Sequence, residues 1–211
     1  MEDKILFETE VGSFMWGMGT KESDRDVMQI YMQSPRDILS GYNLTKNKPQ
    51  RQFKQHGWEW DYQHMEIGHL VNLLIKGNVN AIWATMSPVI LNDYTKDLLG
   101  LRELAAENLS KASYHSIHGM AISNVNDNVK RPNMPKNKAY KQALRTIMFG
   151  INMFKYGDIK FVPVTFEVTK EDVDLALIEL EESHTKSTLP NVPNEQKFRD
   201  YLYALRRKEI S

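Results

Sequence analysis

The sequence predicts an α/β (α+β) protein with a small mixed-sheet head followed by a helical C-terminal half. Strand-like apolar runs alternate with turn formers in the first part of the chain, whereas apolar residues beyond Asn92 recur mostly at helical spacing. A chain of 211 residues is long enough to bury a sizeable core. We therefore expect a head over residues 1–90 and a mainly helical region over residues 91–211.

The head begins with runs that have the apolar or alternating pattern of strands, at residues 5–11, 27–32 and 52–61. Between the second and third runs, segment 34–50 is rich in turn formers and is predicted to be a loop. Helical spacing of apolar residues then predicts a helix over about 63–76, ended by Gly77, and a shorter helix over 79–86.

The second half is predicted to contain helices over about 95–108, 110–126, 138–156, 169–183 and 194–208. Thr169 followed by Asp172 predicts a capping box at the start of the fourth of these helices. Residues 161–166 are predicted to be extended, and Pro163 directs them to a sheet edge or out of a sheet.

Composition excludes several classes of protein. The 27 basic and 27 acidic residues cancel, so overall charge does not argue for nucleic-acid binding. The absence of cysteine rules out disulfides and thiolate zinc sites. An acidic N-terminus without an apolar core and the lack of a long apolar run predict a cytoplasmic protein with no membrane partner.

Charge is nevertheless unevenly distributed. Residues 129–160 carry eight Lys or Arg against Asp158 alone, and residues 167–182 carry seven Asp or Glu against Lys170 alone. The two segments are either solvated helix faces of opposite sign, or the basic one is a wall for a triphosphate or a polynucleotide. Lys141 and Arg145, one helical turn apart, are the cations that we expect to reach phosphates. For each one singly, an ordinary surface charge is the alternative.

The most informative motif is Gly12-Ser13, followed after ten residues by Asp24-Arg25-Asp26. Residues i and i+2 of a strand point to the same face, so the two aspartates are predicted to lie side by side. Such carboxylates repel each other unless cations lie between them, and their hard oxygens suit Mg²⁺. The Gly-Ser turn can present N–H groups and a hydroxyl to a triphosphate. A solvated turn or strand end is the alternative for the aspartates.

The run GSFMWGMGTKESDRDVMQIYM resembles the DNA polymerase beta-like nucleotidyltransferase superfamily, and within it the predicted nucleotidyltransferases linked with RNA repair. A second block, DYQHMEIGHLVNLLIKGNVNAIWATMSPVI, is similar to that family at a set of spaced positions: Asp61, Glu66, Leu73, Leu74, Lys76 and Asn78. A third block, KAYKQALRTIMFG, is a looser match. Glu66 falls near a helix N-terminus, and this placement accounts for it.

The resemblance implies a metal site of three carboxylates that binds two Mg²⁺ ions, with Mn²⁺ as an alternative. Asp24 and Asp26 match directly, and the third acid comes from the next strand. Asp61 is the preferred third ligand and possible base, and Glu59, on the same strand face, is the runner-up. The nucleotide would be bound by the following residues: Gly12, Ser13, Gly17, Ser23, Lys141 and Arg145.

The implied reaction transfers a nucleoside monophosphate from a triphosphate such as ATP to an acceptor hydroxyl, with an RNA end as one candidate. Alternatives are a same-fold enzyme that modifies a small molecule or a protein, or a non-catalytic nucleotide-binding module. Acceptor, base preference and oligomeric state are left open by the sequence.

Other conspicuous residues have simpler explanations. His115 and His118 are spaced to share a helix face, but no third ligand is near them in sequence, so we expect hydrogen-bonded or surface histidines. Trp16, Trp58 and Trp60 are able to stack on a base, yet half-buried packing in the core is the default for strand tryptophans.

Overall fold

The structure is a computed structural model that describes residues 3–41, 50–130 and 136–208. Within these ranges the chain forms five strands: β1 (Lys4–Glu10), β2 (Arg25–Met32), β3 (Arg51–Gln55), β4 (Trp58–Glu66) and β5 (Ile90–Asp93). They form one sheet in the order β3-β4-β2-β1-β5. β2 and β4 are parallel, and the other neighbouring pairs are antiparallel. The predicted mixed α/β fold is confirmed.

Nine helices occur in the described part of the chain: α1 (Gly12–Met15), α2 (Pro35–Ser40), α3 (Ile67–Ile75), α4 (Val79–Met86), α5 (Leu98–Glu107), α6 (Ser113–Lys130), α7 (Lys136–Tyr156), α8 (Lys170–Lys186) and α9 (Glu195–Arg207). The last five confirm the helical C-terminal half. Thr169 and Asp172 form the predicted capping box at α8. None of the helices in the described ranges is long and apolar enough to cross a membrane. The cytoplasmic location stays a prediction.

The predicted strand over 52–61 is wrong, because this segment forms the β3–β4 hairpin. His56 and Gly57 both have positive φ, at 52° and 82°. Positive φ at both central residues is typical of the type I′ turns that join antiparallel strands. Alternation of bulky and polar residues continues through this turn, which hid it. β4 then continues to Glu66, so the helix predicted from residue 63 begins at Ile67.

Several boundaries in loop-like segments also differ from the prediction. Segment 34–50 contains α2, whose N-cap Ser34 accepts a hydrogen bond from the backbone N–H of Asp37. Residues 42–49 of that segment lie outside the described residues. The short strand β5 was not predicted. Residues 161–166 form no strand, in agreement with one of the two predicted effects of Pro163. α6 extends to Lys130, beyond the end near residue 126 predicted for this helix.

The chain divides into two compact units. The first contains Met1–Lys76, Asn80–Asn108 and Asn194–Ser211, and the second contains Gly77–Val79 and Leu109–Pro193. The sheet and the paired carboxylates described below belong to the first unit. A boundary near residue 90 stays a prediction.

Each unit has a buried apolar core of its own. In the first unit, Ile30 of β2 and Leu70 of α3 are fully buried. In the second, Ile147 of α7 and Leu180 of α8 are fully buried. Burial of side chains of this size stabilises each unit mainly through the hydrophobic effect.

Candidate active site

The starts of β2 and β4 place carboxylates side by side. In the register of this parallel pair, Asp26 lies opposite Asp61. Neighbouring strands lie about 4.8 Å apart, and side chains at matched positions point to the same face. Asp24 lies just before β2, and its side chain lies near that of Glu59, with which it lines one cavity. The structure therefore brings together all four acids that the sequence proposed, in two neighbouring pairs.

Gly12 packs directly against one of these carboxylates. It has a φ of +64°, and a Cβ atom placed on it would lie 2.0 Å from Oδ2 of Asp26. The backbone N–H of Val11 also donates a hydrogen bond of 2.8 Å to the carbonyl of Asp26. Only glycine combines this backbone conformation with such a close approach. The Gly-Ser turn and the aspartates, far apart in sequence, are thus adjacent in space.

The hairpin supplies exposed polar partners to the other acids. Nε2 of Gln50 lies 2.5 and 2.7 Å from the two carboxylate oxygens of Asp61, and Nε2 of Gln52 lies 3.2 Å from one of them. Lys54 Nζ lies 2.5 Å from Oε1 of Glu59. The hydrogen bond from Lys54, followed by its charge, holds the pKa of Glu59 below its usual value.

A cavity of about 290 Å³ opens at this point of the hairpin. Its walls come from β3, β4 and the residue that precedes β2: Asp24, Gln52, Phe53, Lys54, Glu59, Trp60 and Asp61. Three of these residues are acids that the sequence analysis selected. The cavity is therefore a polar opening whose negative charge is partly compensated by Lys54.

Arg25, between the two aspartates, is a feature that the sequence analysis missed. It points to the opposite face of the sheet and forms a two-pronged ion pair with Glu10, in which Nη2 lies 2.7 Å from Oε2. Glu10 is fully buried. The hydrogen bond that Arg25 donates to Glu10 is the main reason why the pKa of Arg25 is raised. Strand alternation, which puts Arg25 opposite the aspartates, was the available sign of such a role.

Trp58 and Trp60 share a face, as predicted, and both lie near this arginine. Its guanidinium carbon is 5.3 Å from the ring centroid of Trp58 and 4.8 Å from that of Trp60. The two rings are half-buried. Trp16 is buried, in line with a core role.

The remaining predicted site residues have different surroundings. Ser13 lies in α1, and Gly17 has a φ of +67° in the turn after it. The Oγ atom of Ser23 accepts a hydrogen bond of 3.0 Å from the backbone N–H of Thr20, which closes the loop before Asp24. Lys141 and Arg145 lie on α7 in the second unit. Burial lowers the pKa of Arg145 to about 10. Contact of these residues with a nucleotide stays a prediction.

Glu66 has the structural role that its position suggested. It caps α3 by accepting hydrogen bonds from the backbone N–H groups of Gly68 and His69. Its other carboxylate oxygen lies 2.8 Å from Nη2 of Arg206. In the second unit, His118 stacks on Tyr114 with ring centroids 5.5 Å apart. These contacts account for both residues without a metal.

The fit of a divalent cation rests on the chemistry of the donors. Within residues 3–41, 50–130 and 136–208, no three His, Asp or Glu side chains are arranged as they stand to hold a metal ion. The carboxylates near Gly12 are nevertheless the hard oxygen donors that Mg²⁺ prefers. The missing side chain of Gly12 leaves room beside Oδ2 of Asp26. Asp61 accepts hydrogen bonds from the neutral amides of Gln50 and Gln52, which do not offset its charge. The donor set therefore fits Mg²⁺ or Mn²⁺.

A mixed sheet with a Gly-Ser turn against paired carboxylates agrees with one class of protein, the DNA polymerase beta-like nucleotidyltransferases. The chain belongs to the RNA repair pathway DNA polymerase beta family, whose model matches residues 1–185. It is also similar to the solved structure of a nucleotidyltransferase-like protein from Exiguobacterium sibiricum 255-15. The TM-score is 0.36 and the identity 11%, over 97% of this chain and 74% of the other. No curated protein matches this chain.

Proposed function

We propose that this chain transfers a nucleoside monophosphate from a nucleoside triphosphate, such as ATP, to a hydroxyl at an RNA end and releases pyrophosphate. The observation that carries the proposal is the register that sets Asp26 beside Asp61, with Gly12 packed against Asp26. The family supports nucleotidyl transfer as the class of reaction, and its description supports RNA as the acceptor.

The carboxylates of Asp24, Asp26 and Asp61 would hold Mg²⁺, with Mn²⁺ as a substitute. Bound Mg²⁺ would neutralise phosphate charge and lower the pKa of the attacking hydroxyl. Asp61 is preferred to Glu59 as the third acid because the charge of Glu59 is already paired with Lys54. The amides of Gln50 and Gln52 that hydrogen-bond to Asp61 are neutral and do not offset its charge.

In the proposed reaction the acceptor oxygen attacks the α-phosphorus of the triphosphate. The bond between that phosphorus and the oxygen that bridges to the β-phosphate breaks, and pyrophosphate leaves with the electron pair. The proton of the hydroxyl passes to the carboxylate of Asp61. The backbone N–H groups and hydroxyl of Gly12-Ser13 donate hydrogen bonds to the β- and γ-phosphates, because this turn adjoins the carboxylates.

The test measures transfer of label from each α-³²P nucleoside triphosphate, with Mg²⁺, to RNA that ends in a 3′-hydroxyl. The same RNA blocked by a 3′-phosphate is the acceptor control, and cell protein and a small-molecule extract are alternative acceptors. Asp24→Asn/Asp26→Asn removes two predicted ligands. Asp158→Asn/Asp174→Asn makes the same charge change at exposed positions that pair with lysines in the second unit.

We expect label in the unblocked RNA with the wild-type chain and the exposed-site variant, and none with Asp24→Asn/Asp26→Asn. Label in protein or in a small molecule that depends on the same aspartates would keep the reaction and replace the acceptor. Nucleotide binding in the presence of Mg²⁺ without transfer to any of these acceptors would favour a non-catalytic nucleotide-binding module. The absence of both transfer and nucleotide binding would contradict the proposal.

A further inference from the structure

The ion pair between Arg25 and Glu10 joins the two sequence motifs of the candidate site. Arg25 is the residue between the two aspartates, and Glu10 ends β1, two residues before Gly12. The guanidinium makes two parallel hydrogen bonds to the Glu10 carboxylate, a geometry that is directional as well as strong. The exposed fractions of the Arg25 and Glu10 side chains are 19% and 1%, so water competes weakly for the bond.

Three aromatic rings hold the same guanidinium. Its central carbon lies 4.5 Å from the ring centroid of Phe14 and at similar distances from Trp58 and Trp60. Cations within about 6 Å of a ring centroid are attracted to the ring face. The Phe14 ring in turn packs closely against the backbone of Gly19, where a Cβ atom would lie 2.4 Å from the ring. Arg25 is thus fixed by an acid at one end of β1 and by rings from α1 and β4.

We infer that Arg25 is a positioning residue, which sets the place of Asp24 and Asp26 relative to the Gly-Ser turn through Glu10. β2 begins at Arg25, so Asp24 lies outside the strand. The side chain of the next residue therefore restrains the backbone that carries Asp24. This inference rests on the proposed function for its consequence in catalysis, whereas its consequence for cation binding is measured without nucleotide.

The test measures the affinity of the full chain for Mn²⁺ alone, from the electron paramagnetic resonance signal of the free ion. Arg25→Met removes the cation while keeping a long apolar side chain against the rings. We expect its dissociation constant for Mn²⁺ to rise roughly 10- to 100-fold, the range seen when an outer-shell partner of a metal ligand is lost. Arg25→Lys keeps the charge without the two-pronged geometry, so its dissociation constant for Mn²⁺ should lie between those of the wild-type chain and Arg25→Met.

Two further variants separate positioning from stability. Arg206→Met removes the partner of Glu66, a comparable ion pair of the same unit, with exposed fractions of 28% and 8%. We expect it to lower the unfolding temperature and to leave the Mn²⁺ affinity unchanged. Glu10→Gln/Arg25→Met leaves no unpaired buried charge. We expect it to regain unfolding temperature relative to Arg25→Met while its Mn²⁺ affinity stays low.

Wild-type Mn²⁺ affinity in folded Arg25→Met would overturn the inference. The inference would also be overturned if Glu10→Gln/Arg25→Met regained Mn²⁺ affinity together with unfolding temperature. An equal loss of Mn²⁺ affinity in Arg206→Met would overturn it as well. If Arg25→Met does not fold, the double variant decides between these outcomes. A wild-type chain that binds no Mn²⁺ also overturns it. A chain that binds Mn²⁺ through Arg25 but transfers no nucleotide would refute the proposed function and keep the positioning role.

Discussion

Two sides of the candidate site are held in different ways. On the β1–β2 side, defined by Glu10, Gly12, Arg25 and Asp26, the contacts are a buried carboxylate in an ion pair and a turn packed against an aspartate. On the hairpin side, defined by Gln50, Gln52, Lys54, Glu59 and Asp61, exposed side chains hold the acids.

The difference indicates which part is formed before a ligand binds. Breaking a buried pair leaves an uncompensated charge, whereas exposed ion pairs contribute little to stability. The β1–β2 side is therefore fixed by the fold. We expect the acids of the hairpin side to exchange their present partners for a cation at little cost, because those partners are exposed.

The largest effect is expected on the β1–β2 side, from Gly12→Ala. The new methyl group would collide with Oδ2 of Asp26, so we expect transfer activity to fall by at least about 100-fold, the scale reported for misplaced reacting groups. Gly41→Ala is the matched control, because its φ of +68° is similar and nothing lies within 4 Å of its added Cβ.

Measurements of kcat/KM and of thermal unfolding on both glycine variants check this expectation. Gly41→Ala should be destabilised by about 1–2 kcal/mol, the cost of a left-handed backbone for a residue with a Cβ, and Gly12→Ala by at least as much because of its collision with Asp26. Only Gly12→Ala should lose activity beyond what its folded fraction explains. Equal activity in the two variants would show that the turn does not need to lie against Asp26.

The second largest effect compares two acids of the hairpin side. If Asp61 accepts the proton, Asp61→Asn should lower kcat by about 100-fold or more, as expected for loss of a general base. Glu59→Gln should change kcat by less than about 10-fold on the same scale, because Lys54 already pairs with this acid. Single-turnover rates with saturating nucleotide measure both. The reverse order would make Glu59 the third acid.

The smallest effect is expected from Lys54→Met, which removes the cation that lowers the pKa of Glu59. The pKa of Glu59 should rise toward its usual value of 4.5, as followed by carbon-13 NMR of its carboxyl group. A carboxyl group with a lowered pKa in the folded state stabilises the protein at pH values above its usual pKa. This stabilisation is lost as the pH falls through the lowered pKa. The variant should therefore show a weaker loss of stability on acidification. An unchanged titration would mean that Lys54 is not bound to Glu59 in solution.

How much of the site was predictable depends on the distance over which its contacts act. Alternation along a strand was sufficient to put Trp58 and Trp60 on one face. The same argument for Asp24 and Asp26 stays a prediction, because β2 begins at Arg25 and Asp24 lies outside the strand. The resemblance to a family then supplied Asp61, which the register places beside Asp26. The capping box at Thr169 was visible for the same reason, since both of its partners lie within one helical turn.

Contacts between strands were beyond the sequence. Nothing local pairs Glu10 with Arg25, because the register of β1 with β2 brings these strand ends together. The hairpin turn at His56 and Gly57 was hidden by alternation that runs through it, so the pairing of Lys54 with Glu59 was not foreseen. The positions of such partners follow from strand pairing, which a single sequence specifies only weakly.

The central claim is that the β1–β2 side and the hairpin side together bind one divalent cation. Iron-directed cleavage of the backbone tests this claim most directly. Fe²⁺ is added to the chain in place of Mg²⁺, ascorbate and peroxide generate hydroxyl radicals at any bound ion, and mass spectrometry maps the backbone cleavage. Cleavage near residues 12–13, 24–26 and 59–61 that disappears in Asp24→Asn/Asp26→Asn is the predicted result. Cleavage confined to other segments, or unchanged in that variant, would contradict the account.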